Sequence, residues 1–214
     1  MHYEQNQIYH LFNQGNNKQP IFFERDNYLF FLRKMRKHLL PHATLLGYCL
    51  MPNHFHWLLI PTTEGLTPSR SIQPNKRLKG KQCGSSNGRH FENAFHLEEY
   101  QQKLSQQIGV LLSGYTKAVN KRYNRSGSLF RGKTKAKDGW INDFVTIQGK
   151  HSDFFFRPDN DYARICFKYI HNNPVEAGLS TTTIDWEFSS ARDYAGVRNG
   201  SICNFALARS LALI

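Results

Sequence analysis

The sequence is poor in acidic residues and has no long apolar run. The 214 residues include 16 Asp and Glu and 28 Lys and Arg, which gives a formal net charge of +12. Such an excess favours a polyanionic partner, either nucleic acid or an anionic membrane surface. No apolar stretch approaches the roughly 18 to 20 residues of a transmembrane helix, and the first residues lack the basic and apolar regions of a signal peptide. We therefore expect a cytoplasmic protein with no membrane partner.

Cysteine is also scarce, and its spacing bears on metal binding and on the redox compartment. The four cysteines, Cys49, Cys83, Cys166 and Cys203, form no close pair. A cysteine-rich zinc site is therefore not expected, and nothing requires an oxidising compartment. Cys49 and Cys166 fall on apolar faces of predicted elements, so we interpret both as small buried hydrophobic residues.

The hydrophobic periodicity predicts a single α+β domain over residues 1–214, with an antiparallel sheet covered by helices. Strands are predicted at 8–13, 44–50 and 54–61, helices at 24–40, about 97–123 and 161–173, and a basic strand or loop at 129–137. A basic insertion at about 62–93 and a segment at 138–160 interrupt this order. Phe154, Phe155 and Phe156 in the second segment are expected to anchor in the core. A C-terminal extension follows about residue 196, and its apolar run at 205–214 predicts a docking helix.

The segment Met-Pro-Asn-His-Phe-His-Trp, residues 51–57, carries the first candidate for chemistry. Alternate side chains of a strand project to the same face, so His54 and His56 lie side by side while Phe55 points into apolar packing. Two imidazoles held in this way can ligate one divalent metal ion. The motif is short, and by itself it favours the simpler interpretation of one structural and one exposed histidine over a metal site.

A partner for the two histidines is predicted on the helix at 161–173, which we expect to stop at Pro174. Its apolar residues form one buried arc, consisting of Ala163, Cys166, Phe167 and Ile170. Tyr169 and Asn173 are four residues apart and lie next to each other at the edge of that arc. The helix thus presents a phenol and an amide together, both partly buried. A phenol can attack a phosphodiester when a metal ion polarises the scissile phosphate.

These residues belong to five sequence blocks that resemble those of one protein family and occur in the same order as in that family. The blocks are PIFF (20–23), YCLMPNHFH (48–56), NKRYNRSGSLFRGK (120–133), YIHNNPVEAGL (169–179) and WEFSS (186–190). The histidine–hydrophobe–histidine block resembles the HUH motif of single-strand DNA nucleases and transposases. All five together resemble the REP-associated tyrosine transposases, one-tyrosine members of that superfamily, and they cover most of residues 8–195.

The resemblance implies a ferredoxin-like core and a set of site residues. It implies that His54 and His56 are metal ligands, that Tyr169 is the nucleophile and that Asn173 is the third ligand, a position at which related subfamilies carry Gln. The implied reaction is cleavage and rejoining of single-stranded or hairpin DNA through a 5′-phosphotyrosine. Mg²⁺ or Mn²⁺ would be the cofactor, and Mn²⁺ suits mixed nitrogen and oxygen ligands better. The implied location is the bacterial cytoplasm, on the nucleoid when the protein is bound to DNA.

A basic run is the candidate DNA-binding surface. Between residues 117 and 137 there are eight basic residues and no acidic one: Lys117, Lys121, Arg122, Arg125, Arg131, Lys133, Lys135 and Lys137. A charge run is often only a solvated face. The absence of acidic residues and the interleaved Tyr123 and Phe130 favour phosphate contacts with stacking, and we assign the first seven basic residues to DNA.

Several alternatives stay open at this point. Tyr115 is a rival nucleophile, but it lies in the middle of an apolar stripe and is expected in the core. His10, on the first strand, could face the site or simply pack, and packing is the favoured interpretation. His171 lies across its helix from Tyr169, so neither histidine is assigned as a ligand. The chain could instead be a non-catalytic nucleic-acid-binding module, or a metal-dependent phosphoesterase in which water attacks. The sequence also leaves open a homodimer, and whether one chain or two subunits complete each site.

Overall fold

Four antiparallel strands and the helices packed on them form the body of the protein. The structure is a computed structural model that describes residues 2–69, 100–132, 134–138 and 161–214. In chain order the elements are β1 (Tyr9–Gln14), α1 (Arg25–His38), β2 (Ala43–Met51), β3 (His54–Pro61), α2 (Thr63–Leu66), β4 (Pro68–Ser69), β5 (Gln101–Gln102), α3 (Lys103–Arg122), β6 (Lys135–Asp138), α4 (Asp161–Glu176), α5 (Ala191–Tyr194) and α6 (Phe205–Ser210). The main sheet has the order β2–β3–β1–β6, with every neighbouring pair antiparallel. This topology confirms the predicted ferredoxin-like α+β class.

The sheet is covered on both faces, and each face has its own apolar core. On one face, Leu11, Phe55 and Trp57 pack with buried residues of α1 and α3. On the other face, Leu58 and Cys49 pack with the arc of α4 predicted from its periodicity, namely Ala163, Cys166, Phe167 and Ile170. The alternation of side chains along β3 therefore sends Phe55 and Trp57 to one layer and His54, His56 and Leu58 to the other.

The helix α4 does not stop at Pro174, as its sequence suggested, but continues to Glu176. Proline in the last turn removes only one backbone donor, and the helix tolerates that loss near its end. The stop signal is Gly178, which has a φ of 69°. The amide of Leu179 donates to the Pro174 carbonyl at 2.8 Å and that of Gly178 to the Val175 carbonyl at 3.0 Å. These two bonds form a Schellman cap, which satisfies the last carbonyls of the helix.

The start of α3 also differs from the expectation of a helix from about residue 97. Its first residue is Lys103, because Gln101 and Gln102 are extended and pair with Pro68 and Ser69. Only the beginning of the predicted insertion at 62–93 is described, as α2 and β4. Residues 70–93, the start predicted for α3, and Phe154 to Phe156 lie outside the described residues.

The outer edge of β2 is covered by the C-terminal part of the chain. The amide of Leu50 donates to the Phe188 carbonyl and that of Ser190 to the Tyr48 carbonyl, both at 2.9 Å. Further along β2, the amide of Asn204 donates to the Leu45 carbonyl. These bonds protect an edge strand from pairing with another chain. The predicted docking of the apolar tail is confirmed, since Ala208 of α6 and Leu213 are buried in the second core.

Within the residues that the structure describes, no helix is both long and apolar enough to cross a membrane.

Candidate active site

The candidate active site lies between β3 and α4. His54 and His56 of β3 face Tyr169 and Asn173, which lie at the edge of the buried face of α4. The two imidazole rings lie 4.9 Å apart, almost perpendicular to each other. His56 is buried, with 4% of its surface exposed, while His54 is partly exposed at the start of the strand. The structure thus confirms that both imidazoles share one face and that Phe55 enters the opposite core.

Both imidazoles form a hydrogen bond through Nδ1. The Asn53 side-chain oxygen lies 2.6 Å from His54 Nδ1, and the Asn53 amide nitrogen donates to the Lys18 carbonyl, which fixes the orientation of the amide. His54 Nδ1 therefore donates. His56 Nδ1 lies 2.9 Å from His10 Nε2. His56 Nε2 is buried and has no hydrogen-bond partner among the described residues.

Tyr169 and Asn173, on successive turns of α4, complete the cluster. The Tyr169 ring stands perpendicular to the His56 ring with 5.5 Å between their centres. Asn173 donates from Nδ2 to the Tyr169 carbonyl at 2.9 Å, and its side chain also interacts with the Tyr169 phenol and the His54 ring. Asn173 is more buried than expected, with 8% of its surface exposed. All four residues belong to one chain, so a second subunit is not needed to bring them together.

Burial sets the protonation state of this cluster. It lowers the pKa of His54, an effect that the Asn173 side chain opposes. It lowers the pKa of His56 further, with the neighbouring His10 and His54 acting in the same direction. Burial also raises the pKa of Tyr169, and Asn173 opposes that shift. At neutral pH the site therefore contains neutral imidazoles and a protonated phenol.

The residues present fit a divalent metal ion. Metal-ligating imidazoles are neutral and usually donate their other ring N–H to a neighbouring group. His54 Nδ1 donates in this way to Asn53, and His56 Nδ1 lies within hydrogen-bond distance of His10 Nε2. The buried Nε2 of His56 has no partner among the described residues, and a metal ion bound there would supply one. The part of the chain that the structure describes holds no cluster of three His, Cys, Asp or Glu side chains able to bind a metal. The third protein ligand would be the Asn173 amide oxygen.

His10 is the site residue that the sequence interpretation misplaced. It was expected to pack in the core, but it lies on the same sheet face as His56 and contacts both His56 and the Tyr169 ring. Strand pairing puts it there, because β1 runs antiparallel to β3 with Phe12 opposite His56 and His10 opposite Leu58. No local pattern in the sequence gives that register. Asn53 was also missed, although it directly precedes the motif.

Tyr115 and His171 behave as predicted. Tyr115 is fully buried in the other core, where its hydroxyl donates to the Ile21 carbonyl at 2.6 Å. It lies on the far side of the sheet from the histidines, so it does not belong to this cluster. His171 is buried against Ser190, with 2.7 Å between Nε2 and Oγ, and does not join the metal-ligand candidates. The phenol of Tyr123 bonds to Glu24 and Asn27. The expectation that Phe130 stacks on DNA is corrected, because Phe130 is buried in the core that contains Phe55 and Trp57.

The predicted DNA-binding run passes the end of the sheet at which His54 lies. Gln14 is opposite His54 in the register of β1 and β3, and the next residue, Gly15, bridges to Phe130. The chain then returns as β6, where Lys135 is opposite Phe12. Directly opposed residues of antiparallel strands share a face. Lys135 is therefore exposed on the histidine face of the sheet, with the half-buried Phe12 between it and His56.

The other basic residues of the run differ in their surroundings. Lys117, Lys121 and Arg131 are exposed. Arg122 forms an ion pair with Glu24 at 2.6 Å, and Arg125 donates to the Gln19 side chain and lies over the Phe23 ring. These internal contacts stabilise the turn around residues 19–24. Lys133 lies outside the described residues.

The fold and the site together define a class of protein: a ferredoxin-like sheet with paired histidines on a strand and a tyrosine on a helix that faces them. The structure is similar to a solved structure of a REP-associated tyrosine transposase bound to a REP hairpin. The TM-score is 0.53 and the sequence identity 15%, over 96% of this chain and 93% of that chain. No protein-family model and no curated protein matches the sequence. At this identity, the comparison establishes a shared fold.

Proposed function

We propose that this protein cleaves and rejoins single-stranded DNA, with Tyr169 as the nucleophile and a DNA hairpin as the recognised feature. The observation that carries the proposal is the placement of the Tyr169 ring 5.5 Å from the ring of His56, with Asn173 in contact with both Tyr169 and His54. The structural relative bound to a hairpin supports the choice of substrate, as does the net charge of +12.

The chain supplies a nucleophile and a rigid frame for it. The Tyr169 oxygen would form a bond to the scissile phosphorus while the bond from phosphorus to the 3′ oxygen breaks. The leaving strand keeps a 3′ hydroxyl, and its proton balances the one that the phenol loses. The downstream strand stays attached as a 5′-phosphotyrosine, so attack by another 3′ hydroxyl reverses the step without an external energy source.

His54, His56 and Asn173 would hold Mg²⁺ or Mn²⁺, which supplies polarisation of the phosphate and stabilisation of its developing charge when bound. The neighbouring residues perform the other tasks. Asn173 packs against the phenol and limits where its oxygen can lie, which is a requirement for in-line attack. Tyr169 is only partly buried, so its proton can leave toward solvent. Because one chain provides every one of these residues, we propose that a monomer is competent.

A covalent adduct tests the proposal. Single strands that carry a hairpin with randomised flanks, labelled at the 3′ end, are incubated with the protein and Mg²⁺ or Mn²⁺ and resolved under denaturing conditions. We expect a labelled protein band from the unmodified chain and none from Tyr169→Phe. The control Tyr115→Phe also loses a single hydroxyl, but on the opposite side of the sheet, and should form the adduct.

Each outcome selects one function. An adduct formed by Tyr169→Phe, or lost only in Tyr115→Phe, would reassign the nucleophile. Strand cleavage that needs metal but leaves no adduct would favour a phosphoesterase in which water attacks. Binding without cleavage of any member of the pool would favour a non-catalytic DNA-binding module.

A further inference from the structure

Two buried side chains behind His56, those of His10 and Cys166, have no role in the function proposed above. His56 Nδ1 lies 2.9 Å from His10 Nε2, and His10 Nδ1 lies 3.9 Å from the Sγ of Cys166 on α4. His10 is buried, with 6% of its surface exposed, and its ring is stacked on that of His56 with 5.0 Å between centres. The three groups connect β1, β3 and α4 directly behind the site.

The protons of these three groups can be placed by considering what each atom can do. Only one proton lies between His10 Nε2 and His56 Nδ1 when both rings are neutral. If His10 donates it, the other proton of His56 lies on Nε2, as a buried N–H without an acceptor among the described residues. If His56 donates instead, Nε2 carries a buried lone pair that also lacks a partner among those residues. A buried donor or acceptor without a partner costs about 1–3 kcal/mol, and only the lone pair can be satisfied by a bound cation.

The tautomer of His54 can be assigned from its own hydrogen bond. The Asn53 oxygen can only accept, so the proton of His54 is on Nδ1 and its lone pair is on Nε2. With the same tautomer at His56, both imidazoles offer Nε2 on one face of the sheet. His10 would then accept through Nε2 and carry its own proton on Nδ1, directed at the Cys166 sulfur.

We propose that His10 is a positioning residue that holds His56 in its Nδ1–H tautomer and in the orientation needed to bind a divalent cation through Nε2. The proposal rests on the metal site of the proposed function, but it concerns metal affinity and not strand cleavage. Groups behind a metal-ligating histidine typically change metal affinity by about 10- to 100-fold when they are replaced.

The first measurement is the tautomer of His56 in the metal-free protein without DNA, from long-range proton–nitrogen NMR of the imidazoles. We expect a protonated Nδ1 and an unprotonated Nε2 in the unmodified chain. A proton on His56 Nε2 would overturn the proposal directly, and this readout does not depend on any variant. His10→Gln keeps an acceptor within reach of His56 Nδ1 and should preserve the tautomer. His10→Met fills a similar volume without a good acceptor and should lose the preference.

The second measurement is the affinity for Mn²⁺ alone, by electron paramagnetic resonance titration. His10→Met should bind about 10- to 100-fold more weakly than the unmodified chain, and His10→Gln should recover most of the affinity. The matched control is His171→Met, which removes another buried histidine from the same layer and should leave Mn²⁺ affinity near that of the unmodified chain. Equal affinity of His10→Met and the unmodified chain would overturn the proposal. An equal loss in His171→Met would also do so, because it would reduce the effect to packing.

The result can be separated from the proposed function. If the tautomers and Mn²⁺ affinities follow expectation but no DNA adduct forms, the proposed function fails and the role of His10 stands. If the adduct forms while His56 carries its proton on Nε2, the reverse holds.

Discussion

The folded state should lose stability below neutral pH because of His171, a buried histidine that the proposed chemistry does not use. The ring lies in the second core, with its Nε2 atom 2.7 Å from the Ser190 hydroxyl. It also packs against the rings of Phe167 and Tyr194. Burial lowers the pKa of His171 from 6.5 to about 4. Protonating it in the folded state would place a cation among aromatic rings and one hydroxyl.

The sign and size of the effect follow from proton linkage. Above pH 6.5 the ring is neutral in both states, so it contributes no pH dependence. Between pH 6.5 and 4 the unfolded chain binds a proton that the folded chain does not, and the free energy of unfolding falls as the pH falls. With a pKa of about 4 in the folded state, the loss from this one group is about 2 kcal/mol at pH 5 and about 3 kcal/mol at pH 4. Below pH 4 it levels off.

Urea unfolding at several pH values, with EDTA present so that no metal contributes, measures this loss. His171→Gln is the comparison, because Gln can still bond to Ser190 Oγ but cannot be protonated in this range. The difference in unfolding free energy between the two proteins should be constant above pH 7. It should then move by about 3 kcal/mol in favour of the variant by pH 4. Parallel curves over the whole range would refute the assigned pKa and, with it, the buried and uncharged environment described for α4 and β2.

The remaining predictions concern the metal and the DNA. Chelation by EDTA should stop cleavage, and added Mg²⁺ or Mn²⁺ should restore it. At limiting metal, His54→Ala and His56→Ala should each be inactive. Near-normal cleavage by either variant would show that the histidine pair has a structural role and does not bind metal. Binding to single-stranded DNA should weaken steeply with salt, and Lys135→Gln should reduce the slope of log affinity against log salt by about 0.7 if Lys135 contacts one phosphate. The control Lys37→Gln removes an exposed lysine at the end of α1, a helix that packs on the sheet face opposite to His54 and His56, and should leave the slope unchanged. Equal slopes for Lys135→Gln and the unmodified chain would indicate that Lys135 belongs to a solvated face.

The parts of the fold set by local sequence were predictable. The alternation in β3 correctly sent Phe55 to one core and the two histidines to the other face. The helical period of α4 correctly buried Cys166, Phe167 and Ile170 and placed Tyr169 beside Asn173. In both cases the chain repeats its side-chain direction at a fixed interval, so the faces follow from spacing alone.

The position of His10 and the end of α4 were predicted wrongly. The position of His10 is decided by the register between β1 and β3, which are separated in sequence by a helix and a strand. The end of α4 was misplaced because Pro174 was given more weight than Gly178, although a proline in the last turn costs one hydrogen bond and the Schellman cap satisfies two carbonyls. Gly178 was the available signal.

The placement of Tyr169 has a physical consequence for how the site can work. The nucleophile candidate is on a helix whose apolar face is packed on β2 and β3, and not on a loop. The separation between its ring and His56 is therefore set by the volume of the side chains between helix and sheet, among them Leu58, Cys49 and Cys166. A close-packed layer of this kind resists displacement, because moving the helix by about the width of a methyl group would leave a cavity or cause steric overlap in the core. The geometry needed for attack would thus exist before DNA binds, so that binding energy can go into placing the strand and not into assembling the site.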